Sequence, residues 1–87
     1  MTAPATNAAV LALRALAATL SDERLAQRFL SLSGIDPPEL RQRAAEPAVL
    51  AALLRFLEQH EPDLLSVAEA IEVKPRALVA ARQELEQ

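Results

Sequence analysis

The chain has no cysteine, tyrosine or tryptophan, one glycine and two phenylalanines. Without cysteine there is no disulfide framework, no thiol nucleophile and none of the common cysteine-bearing zinc sites, and a reducing cytoplasm suits such a composition. A single glycine cannot form the loop that cradles a nucleotide phosphate, no serine sits in a Gly-x-Ser-x-Gly elbow, and no acidic calcium loop occurs. Two phenylalanines give no stacking platform for single-stranded nucleic acid. Aromatic and β-branched residues are too sparse to suggest strands. The Ala- and Leu-rich stretch from Ala8 to Leu20 is interrupted by Arg14, and no basic residue precedes that arginine, so neither a membrane span nor a secretory signal fits. A net charge of −3 weakens general attraction to nucleic acid and to anionic lipid.

What the chain does have is apolar residues at helical spacing along almost all of its 87 residues. The reading is all-α: a compact single-domain bundle of five to six short helices with two similar helix-turn-helix corners. Residues 1–6 read as a loose leader and 7–87 as one helical domain. Asn7 is expected to cap a first helix with Val10, Leu13, Leu16 or Ala17, and Leu20 along its inner stripe. Ser21 is expected to cap a second helix carrying Leu25, Phe29 and Leu32, stopped by Gly34 in a left-handed conformation with Ile35 as the accompanying apolar contact. Asp36 before Pro37 and Pro38 signals a short third helix. Pro47 opens the most apolar helix, with Leu50, Leu53, Leu54 and Leu57 in one stripe and Val49 and Phe56 widening it; Pro62 and Pro75 open two more.

One segment occurs twice. Leu32-Ser33-Gly34-Ile35-Asp36-Pro37-Pro38-Glu39-Leu40 recurs as Ala70-Ile71-Glu72-Val73-Lys74-Pro75-Arg76-Ala77-Leu78. Each copy ends a helix, tucks in one aliphatic residue, and restarts on proline with leucine three residues later. Two copies are too few for a solenoid, so they read as two similar corners of one bundle.

Chemistry-bearing residues are few. The lone His60 at the end of the fourth helix reads as a structural cap or partly exposed surface residue, and the carboxylate pairs at helical spacing read as solvated faces. No enzyme activity, cofactor, metal or small-molecule ligand is expected. The stretch from Val67 to Arg82 resembles the turn region of bacterial repressor-type helix-turn-helix proteins. That resemblance implies a helix from Pro75 presenting Lys74, Arg76, Arg82 and Gln83 to nucleic acid. Against it stand Glu72 in place of the turn glycine, an Ala-rich reading face and the acidic balance of the chain. Arg41, Gln42 and Arg43 follow the first turn, on a helix too short to lie far along a groove.

An apolar surplus on the first and fourth helices favours protein contact instead. The expected function is therefore that of a small, cytoplasmic interaction or regulatory module. It would bind an unknown protein partner or a second copy, with Leu53 and Phe56 as anchors, and nucleic-acid binding through Lys74, Arg76 and Arg82 is the alternative. Through Phe29-Leu30-Ser31-Leu32-Ser33-Gly34-Ile35-Asp36-Pro37, Leu40 and Glu46-Pro47 with its Leu-rich helix, the chain resembles an uncharacterised family of small all-helical alphaproteobacterial proteins, from about Asn7 to Leu85. That resemblance implies a helical fold and no particular activity, cofactor or partner.

Overall fold

A computed structural model describes residues 3–87, with side-chain surroundings from Asn7 onward. The fold is all-α. Among the described residues six helices follow one another: α1 (Ala3–Ser21), α2 (Glu23–Ser33), α3 (Pro37–Arg43), α4 (Pro47–Glu58), α5 (Glu61–Ala70) and α6 (Pro75–Leu85). Met1 and Thr2, where the expected leader begins, lie outside the described residues. Asn7 lies within α1 and does not cap it.

Helix boundaries follow local chemistry closely. Gly34 closes α2 at φ 73°, its N–H bonded to the Leu30 carbonyl at 3.1 Å. The Asp36 carboxylate accepts from the Glu39 N–H at 2.9 Å, and Pro37 begins α3 without sacrificing a donor. Between α1 and α2 the cap is Asp22, which accepts from the Leu25 N–H at 3.1 Å, and not Ser21. Ser21 ends α1, and its hydroxyl donates back to the Ala17 carbonyl, the competing local bond open to serine. The two repeated corners share a left-handed residue but close differently: the Gly34 N–H bonds to the Leu30 carbonyl and the Ile35 N–H to the Ser33 hydroxyl, whereas the Val73 N–H bonds to the Ala68 carbonyl at 3.0 Å. Glu72 occupies the place of Gly34 and takes the same left-handed conformation, at φ 60°. Ile35 and Val73 both pack half-buried against the core.

α4 is the central element, in contact with α6, α1, α5 and α2. Val49, Leu50, Leu53, Leu54, Phe56 and Leu57 are all buried, so the fourth helix is wrapped on nearly every side, as its apolar breadth suggested. The first helix differs from expectation. Its inner face is Ala8, Ala12, Ala15, Leu16 and Thr19, whereas Val10, Leu13 and Leu20 are 50, 38 and 40% exposed. The physical reason is helix spacing: small side chains let two helix axes approach closely. The alanine stripe thus seats α1 against α6 and α4. Thr19 is accommodated in the interior because its hydroxyl donates to the Ala15 carbonyl at 2.8 Å. Leu32, expected inside α2, is also exposed, while Leu25 and Phe29 are buried.

Candidate functional site: an apolar groove between α1 and α3

With alanines turned inward, α1 shows its larger residues to the outside. Val10, Leu13, Ala17 and Leu20 succeed one another at intervals of three, four and three residues and are all exposed. That is the a/d spacing of a heptad seam, the pattern that packs against another helix. Beside the seam lies a groove of about 350 Å³, floored by Leu13, Leu16 and Leu20 of α1, Leu30 of α2, and Leu40 of α3. α3 reaches it with Pro37, Leu40 and Arg41, and the C-cap residue Ala44 continues the same face. The cap at Asp36 and the proline start aim that face. The opposite flank of α3 is held by Arg43, which donates to Glu39 at 3.0 Å and to Glu46 at 3.1 Å.

Arg41, exposed at the lip of the groove, forms no ion pair with a carboxylate among the described residues. An apolar floor with an uncompensated cation at its edge can seat apolar side chains and attract a negative group. It contains no nucleophile and no acid-base pair.

The anchors expected from the sequence are elsewhere. Leu53 is wholly buried and presents no surface to a partner. Phe56 is 7% exposed, its ring 5.3 Å from that of Phe29 with the Arg28 guanidinium 5.3 Å from its centroid. It contributes to the lining of a smaller hollow of about 210 Å³ with Leu32, Arg55 and Gln59. Both residues are core because the apolar breadth of α4 is covered by the helices around it. A partner surface, by contrast, must be left uncovered.

The basic residues of the helix-turn-helix reading are not gathered either. Arg82 faces α4, where it donates to both Glu58 oxygens at 2.8 and 3.0 Å and to Glu86 at 3.0 Å. The Glu58 and Glu86 carboxylates hold its guanidinium charged, with a proton affinity above that of an ordinary arginine. Arg55 also pairs with Glu86, so this network ties α4 to the end of α6. Lys74 and Arg76 stand exposed at the start of α6, beside Glu72, and Gln83 is exposed farther along.

His60 has a definite structural position. Its Nδ1 lies 2.8 Å from Oδ2 of Asp63, which is 3% exposed and also accepts from Arg28 at 2.9 Å. Burial pushes the Asp63 carboxyl up, but the bonds from His60 and Arg28 outweigh it and hold the group below the usual aspartate range. An ionised carboxylate only accepts, so Nδ1 is the donor. The trio joins α2 to the corner between α4 and α5. Among the described residues, no group of three or more potential ligands could hold a metal, and no helix is long and apolar enough to cross a membrane.

Sequence reasoning assigned Val10, Leu13 and Leu20 to the core and so missed the groove. The available signal was the rival stripe on the same helix, Ala8, Ala12, Ala15 and Thr19, which runs at equally good helical spacing.

Residues 5–87 match the sequence profile of DUF3572, described as a protein of unknown function. The chain belongs to the DUF3572 family. No curated protein and no solved structure matches it. The DUF3572 match takes in nearly all of α1 and every later helix, so the groove and both repeated corners lie inside the region that defines the family.

Proposed function

We propose that this DUF3572 protein acts through protein contact, as a non-enzymatic adaptor or regulatory module with the α1–α3 groove as its docking surface. The observation that carries the reading is the exposed heptad seam of Val10, Leu13, Ala17 and Leu20 above an apolar groove of about 350 Å³. Such an exposed apolar stripe is the usual mark of an interaction surface and matches the helix-in-groove mode of recognition. A non-enzymatic role is supported by the employment of His60 and Asp63 in fastening α2 to the α4–α5 corner. The cysteine-free composition supports a cytoplasmic setting, and the Phe29–Pro37 and Glu46–Pro47 segments support an alphaproteobacterial source. Nucleic-acid binding through Lys74, Arg76 and Arg82 has less support, since Arg82 would have to leave two carboxylates to reach a phosphate.

The test is affinity capture from a lysate of source cells with the tagged 87-residue chain, after nuclease treatment, beside a Leu13→Glu/Leu20→Glu variant of equal helicity by circular dichroism. Proteins retained by the wild type and lost with the variant are the expected result. Identical retention by both would refute the groove reading, and material that disappears with nuclease alone would favour nucleic acid.

A further inference from the structure

Resting on that reading of the groove, we infer that the segment it receives is an acidic amphipathic helix from another protein, and not a second copy of this chain. The spacing of Val10, Leu13, Ala17 and Leu20 calls for a helix, because a three-four alternation stays in register only with a partner of similar periodicity. The charges around the seam then select its sign. α1, from Ala3 to Ser21, contains no acidic residue, and its one charge is Arg14. Arg14 comes four residues after Val10 and three before Ala17, which makes it a neighbour of the seam on the helix surface. Its guanidinium donates to the Ile71 carbonyl at 2.8 Å and meets no carboxylate among the described residues.

Arg41 supplies the cation at the lip of the groove, also without a carboxylate. Arg28, Arg43, Arg55 and Arg82 are paired with Asp or Glu, whereas Arg24, Lys74 and Arg76 share with Arg14 and Arg41 the lack of a carboxylate partner among the described residues; of these five, Arg41 alone lines the groove. Arg41 is thus the one charged residue lining the groove, and no carboxylate lines it, in a chain whose net charge is −3. A second copy docking through the same groove would bring another Arg41 and no lining carboxylate, and like charges brought together at an interface are strongly disfavoured. A helix with leucine or isoleucine on its seam and glutamate or aspartate on the flanks complements both the apolar floor and Arg41 at its lip.

The probes for the test are two fluorescein-labelled synthetic peptides of about three heptads. Both have leucine at the seam positions, and the flanking positions are all glutamate in one and all lysine in the other. Binding to the 87-residue chain is read by fluorescence polarisation at an ionic strength of about 0.15 M. The glutamate peptide is expected to bind at least about tenfold more tightly than the lysine peptide. Arg41→Glu, with helicity unchanged, should reduce or reverse that preference, and Leu13→Glu should abolish binding of both peptides.

Equal affinity for the two peptides, indifference to Arg41→Glu, or failure of both peptides to bind would overturn the inference. So would a dimer in sedimentation equilibrium that Leu13→Glu dissolves. Equal binding lost with Leu13→Glu would still leave the groove as a docking surface, whereas only capture insensitive to the Leu13/Leu20 double variant removes that broader reading.

Discussion

Replacing Glu72 by glycine should make this protein more stable. Glu72 ends the α5 corner at φ 60°, in the left-handed region, where a side chain crowds the backbone. Its own side chain is exposed and makes no hydrogen bond or ion pair among the described residues, so little is lost by removing it. Relief of the left-handed strain is worth about 1 to 2 kcal/mol. The extra freedom of glycine in the unfolded chain offsets about 0.4 to 1 kcal/mol of that. At the midpoints of these ranges the net gain is about 0.8 kcal/mol, which in a domain of this size raises Tm by about 3 to 6 °C.

The matching corner provides the inverse experiment. Gly34 lies at φ 73°, and a Cβ added there would meet no atom within 4 Å, so Gly34→Ala tests backbone strain free of any steric clash. It should cost about 1 kcal/mol. Urea titrations of the three proteins, with equal m-values, supply the measurement. If Glu72→Gly were neutral or destabilising while Gly34→Ala were tolerated, the left-handed conformation would not be the controlling feature of these corners.

Three further outcomes follow from the packing and the ion pairs. Leu53→Ala and Phe56→Ala should each cost about 3 to 5 kcal/mol in urea titrations, as truncations in a filled core, whereas Leu13→Glu, at a side chain 38% exposed, should cost less, about 1 to 2 kcal/mol. The Asp63 carboxyl sits below its unfolded value, so its contribution is complete above about pH 4 and is lost as pH falls through the depressed folded value; the wild type should therefore lose more stability than Asp63→Asn on acidification, as followed by denaturation between neutral and acidic pH. Arg82→Gln should lower Tm at low salt, with the deficit shrinking in about 1 M NaCl, because its partners Glu58 and Glu86 are partly open to solvent; an equal deficit at both salt concentrations would mean that packing of the arginine stem, and not charge, holds α6 to α4.

The legible parts of the fold are those governed by residues close together in the chain. Gly34, the Asp36 cap and the prolines at positions 37, 47, 62 and 75 mark helix ends through interactions spanning only a few residues, and the helices stop and start accordingly. The repeat was legible for the same reason, down to Glu72 adopting the conformation of the glycine it replaces. At the α1–α2 junction two capping residues stood side by side, and Asp22 prevailed over Ser21 because the serine hydroxyl was satisfied by its own helix.

Which face of a helix turns inward is a different kind of question. α1 carries two apolar stripes of equal periodicity, one rich in alanine and one in leucine and valine, and hydrophobicity alone favours burying the larger residues. The assembled bundle buries the alanines because close approach to α4 and α6 depends on the thickness of the side chains between helix axes, a property of several helices together. That choice exposes Leu13 and Leu20 and creates the groove with α3. It also makes core of Leu53 and Phe56, since the helix that bears them is surrounded. The sequence by itself determined an all-α fold of five to six helices and its two similar corners. Only the tertiary structure decided where apolar surface would be left uncovered, because exposure is settled by what the rest of the chain fails to cover.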